Sequence, residues 1–508
     1  MPFSSSTGLR WLSACLALAA VLVPLAAESQ VKNWPTEPAP LPLPAREVTF
    51  PAYEIKSLPN GLKVVVVLHH EQPIVSLRML VRAGSAADPH DKEGLASLLA
   101  SLLDQGTTTR SAQQIADQID SIGGELSVGA SSDLTFASVV VMKDSFAAGL
   151  ELLSDVVRNP AFNVEEIERQ RQQTLSGLTV SNQDPDYVAS TVFDRLVYGF
   201  HPYGLPSSGT PRTLASITAD DLHAFHERNF VPNNAILAVV GDVTADEAFA
   251  NADRVLGSWA RKDLPEPTVA DPPLPTRRVV VVDKPDAVQT EIRVGQLALP
   301  RNHPDYLAMD LAIRILGGEG SNRLYRVLRT DRGLTYGAQA DLSALEQAGD
   351  FVADTDTRTE TTGAALRLIV DEINRLQRER VSDRELSDAQ AYMAGSFPLT
   401  IETPDAIASQ ILNVLFYGLP LSELETYRER VNAITPEDIQ RVARTYLHPD
   451  RLSVVLVGNA AGFAPQLKGL GFDSYDLVSL RDLDVTTADL HRPAAPAAPA
   501  ARPTGPRD

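Results

Sequence analysis

The chain has 508 residues, which is too long for one ordinary core and long enough for two or three domains. Hydrophobic residues make up 44% and charged residues 22%, as in ordinary globular proteins, so a fibrous or wholly disordered chain is excluded. The formal net charge is −20. Such a surface repels phosphate backbones and argues against nucleic acid as a partner, while it favours solubility and leaves open a mild preference for basic peptides.

Residues 1–29 have the pattern of a secretion signal. Arg10 precedes an apolar run, and small residues follow at Ala27 and Ser29. The run is too short and too interrupted to predict a membrane span. We therefore expect cleavage after Ala27 or Ser29, export to a compartment such as the bacterial periplasm, and a mature chain without a membrane span.

The only cysteine, Cys15, lies inside this segment. Residues 12–15 look like a lipoprotein cleavage box, but the apolar run follows Cys15 instead of preceding it, which argues against lipidation. After cleavage the mature chain has no cysteine, so disulfides and thiolate metal sites are excluded.

The elements that follow alternate between strands and helices. The pattern predicts strands at Lys63–Leu68, Val75–Val81, Phe136–Met142 and Ala235–Val240, and helices at Glu93–Gln105, Ser145–Asn159 and Asp220–Asn229. Thr218 is the predicted N-cap of the last helix. We expect an α+β fold in which each domain has a mostly antiparallel sheet with helices packed on one face.

A long internal repeat divides the chain. The segment from Ile217 to Asp242 is echoed without gaps by Ile434 to Asn459. A repeat of this length indicates two copies of one domain and not a solenoid. The predicted boundaries are a Pro-rich leader at 30–45, an N-terminal domain at 46–258, a linker at 259–277, a C-terminal domain at 278–485 and a disordered Ala/Pro-rich tail at 486–508.

Short motifs throughout residues 46–485 occur in one order and spacing. They are Leu58-Pro59-Asn60-Gly61-Leu62, Gly94-Leu95-Ala96, Gly106-Thr107, His201-Pro202-Tyr203-Gly204 and Gly333-Leu334-Thr335-Tyr336. Together they resemble the pitrilysin/insulinase zinc peptidases, the family that includes mitochondrial processing peptidase.

The resemblance breaks at the zinc motif. Active members carry His-x-x-Glu-His between the Gly-Leu-Ala and Gly-Thr landmarks, where two imidazoles one turn apart hold zinc and the glutamate is the general base. The corresponding residues here are Ser97, Ala100 and Ser101. A serine hydroxyl binds zinc far more weakly than imidazole, and Ala100 cannot take a proton.

The family's third ligand is missing as well. By resemblance this glutamate falls near Ser176-Gly177, and no glutamate occurs between Glu168 and Glu227. The resemblance therefore implies a member that has lost its zinc site, binds no cofactor itself, and is not an enzyme on its own.

The second copy keeps another part of the family's site. By resemblance, Arg329 and Tyr336 reach across to a substrate held over zinc, bind its backbone and polarise the scissile carbonyl. The alternative, on residue type alone, is a surface arginine at a helix end and a packed strand tyrosine.

The family also has an edge strand that pairs with the substrate backbone. By resemblance this strand is formed by Ser127, Val128, Gly129 and Ala130. The family often has Asn-Ala where this chain has Ser127-Val128.

Other chemistry finds little support. His223 and His226 are three residues apart on a predicted helix, but no third ligand is evident, and a solvated helix face is the favoured interpretation. His69 and His70 should point to opposite faces of a strand. The chain has no Gly-x-Ser-x-Gly elbow, and cleavage of the signal would leave no thiol nucleophile.

These residues amount to half an active site. The favoured hypothesis is a non-catalytic, substrate-binding subunit of a heterodimeric zinc peptidase, whose homologous partner carries His-x-x-Glu-His and the zinc. A peptide-binding or scaffolding protein without a peptidase role is the main alternative, and a homodimer that holds peptides without cutting them is a third. A neighbouring gene for a homologue with the zinc motif would favour the first.

Overall fold

The structure is a computed structural model that describes residues 48–264, 271–318 and 322–492. The predicted signal (1–29) and leader (30–45) lie outside the described residues, as does the tail beyond Arg492. Within the described ranges, every helix is too short or too polar to cross a membrane.

The first half of the chain forms a six-stranded sheet. Its strands are β1 (Tyr53–Ser57), β2 (Lys63–Leu68), β3 (Ile74–Val81), β4 (Glu125–Ala130), β5 (Thr135–Met142) and β6 (Ala235–Gly241). The order is β1-β2-β6-β3-β5-β4, and only β2 and β6 run parallel. Valine-rich strands such as β2 form because β-branched side chains fit a pleated, buried surface.

Eight α-helices belong to this half. They are α1 (Leu95–Ala100), α2 (Ala112–Ser121), α3 (Phe146–Arg158), α4 (Val164–Ser181), α5 (Pro185–Tyr198), α6 (Pro211–Ser216), α7 (Ala219–Asn229) and α8 (Ala245–Leu256).

The second half repeats this arrangement. Its strands are β7 (Arg278–Asp283), β8 (Gln289–Ala298), β9 (Ala338–Ala344), β10 (Gly349–Arg358), β11 (Ser453–Gly458) and β12 (Asp476–Ser479). The order β7-β11-β8-β10-β9 matches β2-β6-β3-β5-β4, while β12 adds to β7 in parallel. The repeat seen in the sequence therefore corresponds to two equivalent five-stranded units with different sixth strands.

The helices of the second half follow the same scheme. They are α9 (Tyr306–Gly317), α10 (Thr362–Arg378), α11 (Asp383–Ser396), α12 (Pro404–Phe416), α13 (Ser422–Ala433), α14 (Pro436–Tyr446) and α15 (Ala460–Phe463), with a short π-type helix at Tyr325–Thr330.

The predicted strands are confirmed, and so is the N-cap of α7. The Thr218 side chain accepts a hydrogen bond from the Asp221 amide, and the repeat places Thr435 and Asp438 in the same capping box on α14. The predicted helix Glu93–Gln105 was too long. It begins at Leu95 because Gly94 adopts a φ of 94°, and beyond Ala100 the chain continues in three-residue turns.

Helices cover both faces of each sheet. The helices of each half pack on one face, as predicted. The opposite face of the first sheet packs against α12 of the second half, and that of the second sheet against α5 of the first half. Each half thus covers one face of its own sheet with its own helices and lends one helix to the other half's sheet. This reciprocal exchange is needed because the central strands are apolar on both sides.

The predicted disordered tail begins too early at residue 486. Residues 486–492 are packed: Leu490 is buried, and Arg195 donates hydrogen bonds to the carbonyls of Val485 at 3.0 Å and Thr487 at 3.3 Å. Leu490 and these carbonyls attach the end of the second half to α5.

Candidate functional site

The helix that corresponds to the family's zinc helix is well formed at its beginning. Asp88 accepts hydrogen bonds from the amides of Gly94 at 2.9 Å and Ala96 at 2.8 Å, in place of a side-chain N-cap. Burial raises the pKa of the Asp88 carboxyl to about 7, despite these bonds. The leucines of α1 are buried in the core of the first half, so the scaffold is retained.

The hydroxyls at the motif positions are turned to the backbone. Ser97 donates to the carbonyl of Ser207 at 2.7 Å, and Ser101 donates to that of Leu98 at 2.8 Å. Ala100 is only 1% exposed. Two hydroxyls already engaged with carbonyls and one buried methyl group do not fit zinc, which takes imidazole, thiolate or carboxylate ligands.

The position of the third ligand lies on an exposed stretch of α4. Ser176 donates to the carbonyl of Gln172 at 2.8 Å, and a Cβ added to Gly177 would meet nothing within 4 Å. Across the described ranges, no three or more His, Cys, Asp and Glu side chains cluster closely enough to hold a metal ion.

The histidine pairs have other partners. His226 is hydrogen-bonded through Nε2 to the carbonyl of Val157 at 2.8 Å and stacks on Phe230. Burial lowers the pKa of His226 to about 4, so it stays neutral near neutral pH and keeps this bond. His70 pairs with Asp242 at 2.7 Å. These contacts support structural roles for His226 and His70.

The residues assigned to substrate pairing lie on β4, the last strand of the first sheet. Ser127 pairs with Ser138 and Ala130 with Thr135 of β5, while the other edge of β4 faces no described strand. Helix α1 lies beside β4. A helix therefore lies next to a sheet edge, and the backbone donors and acceptors of that edge face no described strand.

Arg329 and Tyr336 are brought together by a local turn. Arg329 lies on the π-type helix, and its Nη1 donates to the backbone carbonyl of Tyr336, just before β9 begins. Its guanidinium also stands over the ring of Tyr325, 5.0 Å from the centroid. The Tyr336 side chain is 82% exposed. The alternative of a packed strand tyrosine does not hold.

A cavity of about 590 Å³ opens beside this pair, and sequence reasoning missed it. Tyr325 and Gly337 line it together with Glu291 of β8 and Asp354 of β10. Burial raises the pKa of Glu291 to about 8 and that of Asp354 to about 6. No local signal in the sequence marks this cavity, because β8 already contains other polar residues such as Thr290, Arg293 and Gln296.

Comparison with known proteins places this site in a family. A family model described as insulinase (peptidase family M16) matches residues 63–210, and one described as peptidase M16 inactive domain matches residues 216–393. The chain belongs to the M16 (insulinase) peptidase family. The resemblance read from the sequence motifs is thereby confirmed, and so is the α+β fold.

M16 relatives cover most of the chain. An uncharacterized zinc protease of Mycobacterium leprae is 26% identical over 398 residues, 77% of this chain and 88% of its own length. The uncharacterized zinc protease YmxG of Bacillus subtilis is 24% identical over 392 residues, 77% of this chain and 95% of its own.

Solved M16 structures have the same fold. A peptidase M16 inactive domain from Pseudomonas fluorescens superposes with a TM-score of 0.76 at 29% identity, covering 80% of this chain and 98% of that one. A protease from Helicobacter pylori has the same TM-score at 22% identity, covering 80% of this chain and 99% of that one.

Proposed function

We propose that this chain is the non-catalytic, substrate-binding subunit of a heterodimeric M16 zinc peptidase. Its partner is a homologous subunit with His-x-x-Glu-His, which contributes the metal and the general base. This chain contributes Arg329 and Tyr336, which bind the peptide backbone and stabilise charge on the carbonyl that is attacked.

The proposal rests on one observation: the chain lacks zinc ligands at the positions of the family's zinc motif, but keeps an arginine and a tyrosine at the positions that the family uses to bind substrate. At the motif helix the ligand positions are a buried methyl group and hydroxyls bound to backbone carbonyls. In the second half Arg329 holds the carbonyl of Tyr336, and the Tyr336 side chain is exposed. Both side chains are exposed, so they are accessible to a peptide that a partner subunit holds over its zinc.

The unpaired edge of β4 favours a second candidate, a peptide-binding or scaffolding protein without a peptidase role. Backbone pairing along Ser127–Ala130 requires no metal. This candidate predicts peptide affinity or a stable complex for the chain, and no cleavage with any partner.

The test is reconstitution with a zinc-bearing M16 partner. The native complex is purified, and zinc is measured per subunit. We expect zinc on the partner alone and peptide cleavage only when both subunits are present. Stoichiometric zinc on this chain, or cleavage by this chain unaided, would overturn the proposal.

Single variants then assign the pair. Arg329→Ala and Tyr336→Phe should each lower kcat of the complex by about 10²-fold, the usual effect of losing one carbonyl-stabilising donor. Arg332→Ala, at an exposed arginine between them, is the matched control and should leave turnover unchanged. Undiminished turnover in both site variants would remove Arg329 and Tyr336 from the mechanism.

We further propose that the mature protein is exported, on the evidence of the N-terminal pattern at residues 1–29. N-terminal sequencing of the protein from its native host should start at Glu28 or Gln30. A mature chain that still begins at residue 1 in the cytoplasm would contradict this.

A further inference from the structure

A cavity of about 700 Å³ that is lined by arginines lies in the second half of the protein. Five arginines line it: Arg314 of α9, Arg326 and Arg323 at or before the π-type helix, Arg375 of α10 and Arg384 of α11. Only two carboxylates, Glu385 and Asp388, line it with them. Four of the five arginines are paired with carboxylates, so the distinguishing feature of the cavity is its guanidinium N–H donors and not its net charge.

The ion pairs of these arginines do not use all of their guanidinium N–H donors. In four of the arginines a carboxylate oxygen approaches Nε. The distances are 3.2 Å from Asp310 to Arg314, 2.8 Å from Glu385 to Arg323, 2.7 Å from Glu379 to Arg375 and 3.6 Å from Asp388 to Arg384. A guanidinium has five N–H donors in a planar fork, so pairing at Nε does not use up the terminal nitrogens.

Two of these arginines have a donor or a charge without a partner among the described residues. Arg323 is 2% exposed and holds Glu385 through Nε and Nη2, but its Nη1 has no hydrogen-bond partner. Arg326 is exposed and forms no ion pair with any described residue. The exposed guanidinium of Arg326 is therefore the group best placed to stabilise a negative charge in the cavity.

The cavity adjoins the Arg329/Tyr336 pair. Arg326 and Arg329 are three residues apart on the same π-type helix. Asn322 lines both this cavity and the one that contains Tyr325 and Gly337. A peptide held at Arg329 and Tyr336 can therefore continue directly into the group of arginines.

The arginines belong to four separate elements, α9, the segment at residues 322–330, α10 and α11. No single compact ion matches donors distributed in this way, whereas an extended chain with several carboxylates does. Four carboxylates line the neighbouring cavity: Asp186, Glu291, Asp354 and Asp356. Burial raises the pKa of Glu291 to about 8, so this carboxyl is largely protonated near neutral pH and repels such a ligand only weakly, while Asp186 is paired with Arg293.

We propose that this arginine cavity binds a run of acidic residues in the peptide substrate. The inference rests on the proposed substrate-binding function and names its substrate class: peptides with glutamate or aspartate residues beside the segment held at Arg329 and Tyr336. Carboxylates accept charge-assisted hydrogen bonds from the free guanidinium nitrogens.

The test measures binding to the full chain without a partner. The probes are two fluorescently labelled peptides of the same length, one with several consecutive glutamates and one with glutamines in their place. By fluorescence anisotropy the glutamate peptide should bind about tenfold more tightly at low salt, and added salt should erase the difference.

The Arg326→Gln/Arg384→Gln variant should lose this preference, since both side chains are exposed and their replacement leaves the fold intact. The matched control is Arg228→Gln/Arg367→Gln, which removes two exposed arginines outside the cavity and should keep the preference. Equal affinity for the two peptides, or an equal loss in the control, overturns the proposal. Displacement of both peptides alike by inorganic phosphate overturns it in favour of a small-anion site.

This readout is independent of cleavage. If no partner yields peptidase activity but the glutamate preference follows Arg326 and Arg384, the heterodimer proposal fails and the acidic-peptide site stands. If the heterodimer cleaves peptides and the glutamate preference is absent, the acidic-peptide site fails and the heterodimer proposal stands.

Discussion

At the scale of single residues, the loss of the zinc motif is more than a change of side-chain type. Ser97 and Ser101 are bound to backbone carbonyls, and Ala100 is enclosed among the leucines of the core. The local structure has adapted to small side chains. A glutamate at position 100 would not fit here without rearrangement.

Ala100→Glu should therefore destabilise the protein. The carboxylate would be buried without a partner, which costs about 3–5 kcal/mol. Urea unfolding followed by circular dichroism measures the loss, and Ser176→Glu, at the exposed position of the third ligand, is the control and should change little. An unchanged urea midpoint for Ala100→Glu would mean that the site is open, contrary to its 1% exposure.

The sequence alone identified which ligand types are missing, because that requires only the landmarks on either side. It did not reveal the bond from Ser97 to Ser207, since the partner lies more than a hundred residues away and is a backbone atom. The arginine cavity was missed for the same reason. Its five arginines are distributed from Arg314 to Arg384, and no local pattern joins them.

At the scale of elements, the two exchanged helices connect the halves. Ile407 and Ile411 of α12 are fully buried against the first sheet, and Val192 and Phe193 of α5 against the second. Each sheet therefore needs a helix from the other half to cover its second face. Unfolding of the described fold should therefore be one cooperative event.

Ile411→Ala tests this coupling. Truncating a fully buried isoleucine should lower the free energy of unfolding by about 2–5 kcal/mol. Probes in both halves should shift to the same lower midpoint, because α12 supports both. Val180→Ala, at a residue that is 73% exposed, is the control. Separate transitions for the two halves would show that the exchange does not couple them.

Strands were predicted well because runs such as Val64 to Val67 have a strong local preference. The end of α1 was not predicted well. Leu102 and Leu103 extend the apolar stripe beyond the point where the α-helix ends and hydrogen bonds to the third preceding residue begin. The exchange of α5 and α12 could not be derived from periodicity. Its only local sign is that the central strands are apolar on both faces.

At the scale of the whole molecule, buried acids gather where α5 meets the second sheet. Asp194 interacts electrostatically with Asp350 and Arg293, while Glu291 and Asp354 interact with each other and with Arg293. Burial raises the pKa of Asp194 to about 8 and that of Asp350 to about 6, and Asp350 accepts a hydrogen bond from Tyr198 at 2.7 Å. The stability of the packing of α5 therefore depends on the protonation of these carboxyl groups.

The sign of the pH dependence follows from these pKa values. Between the ordinary carboxyl pKa of about 4 and the folded values of about 6 to 8, the native state holds protons that the unfolded state has lost. Stability contributed by these groups is full below about pH 4 and declines as pH rises towards 8.

Asp194→Asn should remove part of this decline. The variant should be more stable than the parent at pH 8 and should gain less at pH 5, as measured by thermal unfolding at both pH values. Asp263→Asn, at an exposed position, removes the same charge and should have the same effect at both pH values. An equal shift for the Asp194 variant at both pH values would contradict a proton held by this carboxyl.

The reciprocal exchange has a consequence for how such a protein is inherited and turned over. A duplicated gene usually leaves each copy free to be lost or reused alone. Here α5 completes the second sheet and α12 completes the first, so neither copy is self-sufficient. Breakage of the chain between the halves would leave one particle made of two pieces. A deletion of either half would leave the survivor with a bare apolar surface, a substrate for quality-control proteases.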